Sequence, residues 1–471
     1  MQLDSGQYLL FLSLAWVVWR LVPKRAATGV LLAASVLFYA SSNLAHLGLI
    51  LLVTGLNYAA VQRLTVWEDR RKRTLLFSLV VVFDVSLLAF YKWASIYLDL
   101  RATPGVLHAL LPATANTVSF PLGLSFLTFQ MVSCATDVYR CKYQWTFGAG
   151  TFFLFAFLFP QISAGPIPRA SGLVPQLTGP HRPTAEDLEA GLSLFAYGLF
   201  KKLVVANRLQ TYVDHVFAPD LQTSTIPVLL AFVFNALRLY ADFSGYTDMA
   251  RGSARVFGID LAENFNYPLL AESITEFWRR WHMTLSNWLM DYVYKPLVYR
   301  LRSVGDNTAV VFSVVFTLLV CGLWHRFSWP FVVFGLVHGT ALSIEFLTRR
   351  LRQGWVKKWP WLEKSWLGRS YVFSLFVLTA VLFRVPSLTL AWQLYSKVFV
   401  PSPPASFSEL FANSGPLLFL ANFIALALWR LVSALRPVWA EYHCVRFVPL
   451  CALITLIFGQ LQEGGFVYVG F

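Results

Sequence analysis

The run Thr74-Leu75-Leu76-Phe77-Ser78-Leu79-Val80-Val81-Val82-Phe83-Asp84-Val85-Ser86-Leu87-Leu88-Ala89-Phe90 is almost wholly apolar, and it directly follows Trp67-Glu68-Asp69-Arg70-Arg71-Lys72-Arg73. Crossing the hydrocarbon of a bilayer takes about twenty apolar residues in a helix. Extended to Asp99, this run is long enough to cross with tilt. The basic cluster before it is a cytoplasmic topology signal in contact with anionic lipid. Upstream, Tyr8–Val22, Thr28–Ala40 and Leu44–Gln62 read as further spans. Lys24–Arg25 and Arg63–Arg73 fall on one side of the membrane and Arg101–Thr117 on the other, which places the N-terminus outside. The first run lacks the charge order and small-residue end of a cleaved leader, so it reads as a retained span.

The same pattern continues. Leu188–Val205, Ile226–Tyr240, Val310–Leu323, Phe331–Leu347, Tyr371–Phe383, Gly415–Leu431 and Val448–Leu461 are apolar runs. The expected fold class is an all-α polytopic membrane protein with about eleven crossings plus broken segments. Composition agrees: of 471 residues, 57% are hydrophobic and only 13% charged, against about a quarter charged in a soluble domain. Mean hydropathy is +0.58. Strand alternation is absent, which argues against a transmembrane barrel. The net charge of +14 sits in short loops between apolar runs, so it marks topology and not nucleic-acid binding. The chain reads as one membrane-embedded domain over 1–471.

Breakers interrupt the middle. Phe120-Pro121-Leu122-Gly123 opens a helix with proline near its first turn. Phe152–Phe159 is cut by Pro160-Gln161-Ile162-Ser163-Ala164-Gly165-Pro166, a broken or re-entrant segment that must be covered by protein or line a cavity. Cys134, Cys141, Cys321, Cys444 and Cys451 show no metal-type spacing. No metal site is expected, and Cys321 reads as a small packing residue.

Chemistry concentrates in three places. Taken as one helix, Ser273–Asp291 has an apolar face of Phe277, Trp281, Leu285 and Trp288, and a polar stripe of Thr275, Arg279, His282 and Ser286. The stripe either lines a cavity or lies in the headgroups as part of an interfacial helix. Gly322-Leu323-Trp324-His325 ends an apolar span, so His325 is either a proton carrier or a structural hydrogen-bonder. His338 reads as a satisfied core histidine. Asp242-Phe243-Ser244-Gly245-Tyr246-Thr247-Asp248 follows an apolar span. Its carboxylates either pair with a cation or orient a histidine, or, equally for Asp248, cap a loop. The ending Phe466-Val467-Tyr468-Val469-Gly470-Phe471 would, taken alone, be an aromatic interface anchor.

Together these pieces resemble the membrane-bound O-acyltransferase family. The matching motifs run in family order from about residue 120 to 340: Pro121–Phe126, Asp137–Arg140, Phe159–Gln161 with Ala164–Pro166, Tyr240–Met249, Glu263–Asn266, Ser273–His282 with Trp288 and Asp291–Tyr292, and Gly322–His325. The bacterial polysaccharide O-acetylation branch is the most similar. The resemblance implies a ring of helices around a tunnel. Acetyl-CoA enters from the cytoplasm as donor substrate, with no bound cofactor, and the acceptor lies outside. The family's invariant histidine falls on His325 and its second polar position on His282. Arg279, Ser286, Trp324, Trp281, Asp242, Ser244, Tyr246, Asp248 and Asn264 are candidate tunnel or substrate residues. Relatives usually carry glycine where this chain has Arg326. The terminal hexapeptide is similar to the end of the partner protein in teichoic-acid D-alanylation, which implies Tyr468 as a covalent acyl relay.

The implied activity is O-acetylation of an exported polysaccharide of alginate or cellulose type at a bacterial inner membrane. Implied partners are acetyl-CoA, the lipid bilayer, a periplasmic SGNH or serine hydrolase-like acetyltransferase and the polysaccharide export machinery, with no nucleic acid. D-alanyl transfer to teichoic acid and a non-catalytic acyl-carrier channel or flippase are the competing readings.

Overall fold

The computed structural model describes residues 1–97, 113–114, 117–178, 182–218, 224–363, 365–400, 402–403, 416–441 and 447–459. The proposed outer loop Arg101–Thr117 falls mostly outside these residues, as do Cys444 and the terminal hexapeptide with Tyr468. The described chain is overwhelmingly helical and divides into two compact units, Met1–Phe195 with Tyr246–Ala262, and Ala196–Gly245 with Glu263–Phe471.

The first unit begins with α1 (Gly6–Leu21), α2 (Lys24–Ala40), α3 (Leu44–Val66) and α4 (Arg70–Tyr97). Lys24 and Arg25 start α2 behind Pro23 and do not form the expected loop. A minimal antiparallel pair, β1 (Ala113–Thr114) and β2 (Thr117–Val118), precedes α5 (Leu124–Tyr139), α6 (Ala149–Phe157) and α7 (Ala170–Thr178). The unit also takes most of α8 (Ala185–Phe200) and the end of α10 (Thr225–Arg255).

Pro121 lies in the turn before α5, and Gly123 is the left-handed residue that launches the helix. A Cβ on Gly123 would sit 2.1 Å from the Ile162 carbonyl oxygen, so only glycine fits there. The expected break at Pro160–Pro166 is present and begins two residues earlier, at Leu158, and residues 158–166 are buried throughout. Buried backbone needs hydrogen-bond partners, and side chains supply some of them. Ser35 Oγ accepts from Phe159 N at 3.1 Å, and a bond between side chains, Gln161 Nε2 donating to Gln130 Oε1 at 3.3 Å, ties the segment further. Phe159 also joins an aromatic cluster with Tyr8, Phe11 and Phe38.

The second unit continues from α8 through a π-helical turn, Lys201–Ala206, into α9 (Asn207–Val216) and the first part of α10. Next come α11 (Ile274–Arg280), α12 (Met283–Leu289), α13 (Lys295–Leu301), α14 (Asp306–His325) and α15 (Trp329–Leu347). They are followed by α16 (Arg349–Lys358), α17 (Ser365–Ala380), α18 (Leu388–Phe399), α19 (Pro416–Glu441) and α20 (Phe447–Phe458). Helices α14 and α15 form the most extensive helix pair. Glycines allow their close approach: a Cβ on Gly322 would lie 2.1 Å from Phe331 O, and one on Gly335 2.5 Å from Leu318 O. Small residues at a helix crossing are the usual route to tight packing in lipid.

Among the described residues, six helices are long and apolar enough to cross a membrane: α3, α4, α10, α14, α15, and α17 with its short extension to Phe383. Three shorter apolar helices accompany them, Gly6–Leu21, Leu420–Ser433 and Val448–Phe458. The protein is an all-α polytopic membrane protein. Two expected boundaries are corrected. α10 does not stop at Tyr240 but runs through Asp242–Asp248 to Arg255, so these residues are helical and not a loop cap. Ser273–Asp291 is not one helix, because it breaks at Trp281–His282.

Candidate active site

The break that overturns the single-helix reading also builds the site. Trp281 is extended (ψ 128°) and His282 left-handed (φ 42°, ψ 54°). A continuous helix would pair Arg280 O with Thr284 N. Here Asn266 N donates to Arg280 O at 3.0 Å, and Thr284 N donates to Asn264 Oδ1 at 3.2 Å. Met283 N donates to Asn264 O at 2.9 Å. The segment Asn264–Asn266 thus captures the hydrogen bonds that would have continued α11. A non-glycine residue at positive φ costs about 1–3 kcal/mol and persists where its surroundings over-determine it.

Glu345, buried on α15, fixes the other end of α11. Its carboxylate accepts from Ile274 N (2.6 Å), Thr275 N (3.0 Å) and Thr275 Oγ1 (2.8 Å). A carboxylate at a helix N-terminus satisfies orphan amides and meets the positive end of the dipole.

The polar stripe therefore does not exist as one surface. Thr275 is taken by Glu345, Arg279 is exposed, and Ser286 Oγ donates to Trp281 O at 3.0 Å across the break. Only His282 of the four is buried, at 1% exposure. Trp281 packs among Phe265, Phe277 and Phe376, with centroids 5.0, 5.5 and 5.0 Å away. It is a core ring.

His282 Nδ1 lies 3.0 Å from Asn264 Oδ1, and its ring meets Phe243 edge-on at 4.7 Å. It sits outside the six long spans, and burial pushes its imidazole down to about 3, so the ring is neutral at ordinary pH. His325 is the last residue of α14 and is buried. It packs against Phe331 and Phe383, with centroids 5.8 and 5.1 Å away. Trp324 touches both histidines, 6.2 Å from His282 and 4.7 Å from His325. The structure thus brings His282, Trp324, His325 and Asn264 together. His338 stands apart, with Nε2 3.0 Å from Thr379 Oγ1 and its ring 4.6 Å from Phe334.

The Asp242–Asp248 motif is divided. Asp242 Oδ1 accepts from Lys202 Nζ at 2.7 Å, with both residues buried. Lys201 Nζ donates to Ser244 Oγ at 3.0 Å. Tyr246 and Asp248 belong to the first unit. There the Tyr246 hydroxyl is hydrogen-bonded to Ser163, and Asp248 lies 4.0 Å from Arg251. Sequence reading missed three charged groups: Lys201, Lys202 and Glu345. The signal for the lysines is an adjacent Lys-Lys inside the apolar run 188–205. For Glu345 it is an acid inside the run 331–347. Charges in such runs require partners, and the lysines occupy a π-helical turn, a feature frequent at functional sites.

A hydroxyl activated by a neutral imidazole in an apolar surrounding is the chemistry of acyl transfer. Comparison with known proteins points the same way. Residues 146–384 match the model of the membrane-bound O-acyltransferase family. The chain is 36% identical over 408 residues to the probable alginate O-acetylase of Azotobacter vinelandii, covering 85% of this chain and 78% of that protein. Against the probable alginate O-acetylase of Pseudomonas aeruginosa it is 34% identical over 406 residues, covering 85% and 75%. Against the peptidoglycan O-acetyltransferase of Helicobacter pylori it is 31% identical over 349 residues, covering 67% and 63%. This multi-pass membrane protein is an O-acyltransferase and belongs to the membrane-bound O-acyltransferase family.

Proposed function

We propose that the chain, acting as a single acyltransferase domain over 1–471, moves acetyl groups from cytoplasmic acetyl-CoA across a bacterial inner membrane for O-acetylation of an exported polysaccharide of alginate or cellulose type. The observation that carries this reading is the Trp324 ring set against both buried histidines, His325 at the end of an apolar helix and His282 in a strained break. The names of the similar proteins, acetylases of alginate and of peptidoglycan, support the choice of a polysaccharide acceptor.

In this reading His325 is the general base. It takes the proton from an attacking hydroxyl while that oxygen adds to the thioester carbonyl of acetyl-CoA. The C–S bond then breaks, and the proton passes to coenzyme A, which leaves as the thiol. The first hydroxyl is that of Tyr468. Its acetyl ester then passes to a hydroxyl of the acceptor, whose proton returns to the tyrosine oxygen. Acetyl-CoA is substrate, and no resident cofactor takes part. The bilayer surrounds the protein, and a periplasmic SGNH or serine hydrolase-like acetyltransferase with the export machinery completes delivery to the sugar. Nucleic acid has no role.

The test uses inside-out inner-membrane vesicles and acetyl-labelled coenzyme A. Label should leave coenzyme A when the donor is added outside these vesicles, and His325→Ala should abolish this at an equal protein level. General-base help is worth about 10²–10⁴-fold. Transfer by His325→Ala at the wild-type rate, or consumption only in right-side-out vesicles, overturns the reading.

A further inference from the structure

We infer that Asn264 is a positioning residue that fixes His282 as the Nδ1–H tautomer, so that its Nε2 is a hydrogen-bond acceptor toward a hydroxyl and not a donor toward a carbonyl. The inference rests on the acyl-transfer reading above for its use, but not for its geometry.

The orientation of the Asn264 amide follows from chemistry. The atom 3.2 Å from Thr284 N must be an oxygen, because a backbone N–H only donates. The Thr284 hydroxyl donates to the same atom at 2.8 Å. An amide oxygen accepts only, so the His282 Nδ1 atom 3.0 Å away must carry a hydrogen. Asn264, His282 and Thr284 are all buried, so water does not substitute for these bonds.

In a neutral imidazole one nitrogen donates and the other accepts. With Nδ1–H spent on Asn264, Nε2 presents a lone pair. The bond that one ring nitrogen makes sets the role of the other. Asn264 acts twice, because its backbone carbonyl also accepts from Met283 N and holds the left-handed turn. The same residue therefore fixes both the direction of the ring and its proton. The ligand that Nε2 receives is a hydroxyl, as on a sugar or a tyrosine. An oxyanion, which needs a donor, would be repelled.

The experiment is nitrogen NMR of the full-length protein labelled with ¹⁵N-histidine, with the His282 signals identified by their loss in His282→Gln. Wild type should show a protonated Nδ1 and an Nε2 without hydrogen. Asn264→Leu keeps similar size but has no acceptor. It should lose that single tautomer and lower kcat about 10–100-fold, a loss of the size seen when the partner that orients a metal-ligating histidine is removed, with KM for acetyl-CoA unchanged. Asn264→Asp restores an acceptor oxygen and should restore the Nδ1–H form. A wild-type ring protonated on Nε2 overturns the inference, and this spectrum decides it even if Asn264→Leu does not fold. An unchanged tautomer in Asn264→Leu also overturns it. Wild-type turnover in His282→Gln, with the Nδ1–H tautomer seen in wild type, upholds the tautomer and removes His282 from the proposed chemistry.

Discussion

Lys202 Nζ and Asp242 Oδ1 are 2.7 Å apart, and neither side chain is more than 3% exposed. Lys202 comes from the π-helical turn after α8 and Asp242 from the middle of α10, so one bond ties two elements of the second unit. Asp242 is followed directly by Phe243, whose ring meets His282. The pair therefore sets the register of the element against which the candidate site is packed.

Breaking this pair should cost more than removing it. Asp242→Asn leaves a buried ammonium without its carboxylate, an effect of about 3–5 kcal/mol. Exchanging both partners for apolar residues, Lys202→Met with Asp242→Leu, should recover most of that loss. Thermal unfolding in detergent separates the cases. Equal destabilisation by the single and double variants would show that the pair does not work as a unit.

Gly322 gives a prediction that distinguishes packing from chemistry. Alanine there would set its methyl against the Phe331 carbonyl and push α14 from α15. Overpacking of this kind costs about 1–3 kcal/mol. Gly322→Ala should lower membrane protein level and activity together, since His325 lies one turn on. His325→Ala should lower activity alone. A Gly322→Ala protein as stable as wild type would mean that the two helices separate at no cost.

How much of this was legible beforehand varies with the physics involved. Apolar runs such as Leu44–Gln62 and Phe331–Leu347 were readable because a bilayer imposes length and composition locally. The break at Pro160–Pro166 was readable because proline and glycine act locally as well, although the helix before it already ends at Phe157. The break at His282 was not readable. Residues 273–291 carry a clean helical period, and what stops the helix is Asn264 and Asn266 taking its hydrogen bonds from elsewhere in the chain. Partner choice is equally non-local. The sequence leaves Asp242 either pairing with a cation or orienting a histidine, and nothing in the spacing decides for the cation or selects Lys202. Arg279 and Ser286 were grouped with His282 by that same period, and they separated from it once the period failed.

The His282 ring makes the stability of the protein depend on acid. Its folded value of about 3 lies below the usual 6.5, so between these limits only the unfolded chain binds the proton. The contribution is fully present above 6.5 and is lost as pH falls, about 2 kcal/mol by pH 5. The drop in thermal stability from pH 7.5 to 5 should be smaller in His282→Asn than in wild type. The comparison isolates this residue because every other histidine is common to both proteins. Parallel curves would place the ring in water.

The last prediction concerns Tyr468, which lies outside the described residues and is proposed on its motif, Phe466-Val467-Tyr468-Val469-Gly470-Phe471. An interface anchor and an acyl relay use the same ring differently. An anchor needs the aromatic body, which phenylalanine also supplies. A relay needs the oxygen, because only the hydroxyl holds an ester. Tyr468→Phe should therefore insert normally and lose nearly all transfer to the polymer. Brief exposure of the wild type to acetyl-CoA should add one acetyl group to its C-terminal peptide by mass spectrometry. His325→Ala should lack that group, since the phenol then has no base to take its proton. If Tyr468→Phe acetylates polysaccharide at the wild-type rate, the acetyl group passes from coenzyme A directly to the acceptor, and His325 acts on that hydroxyl instead.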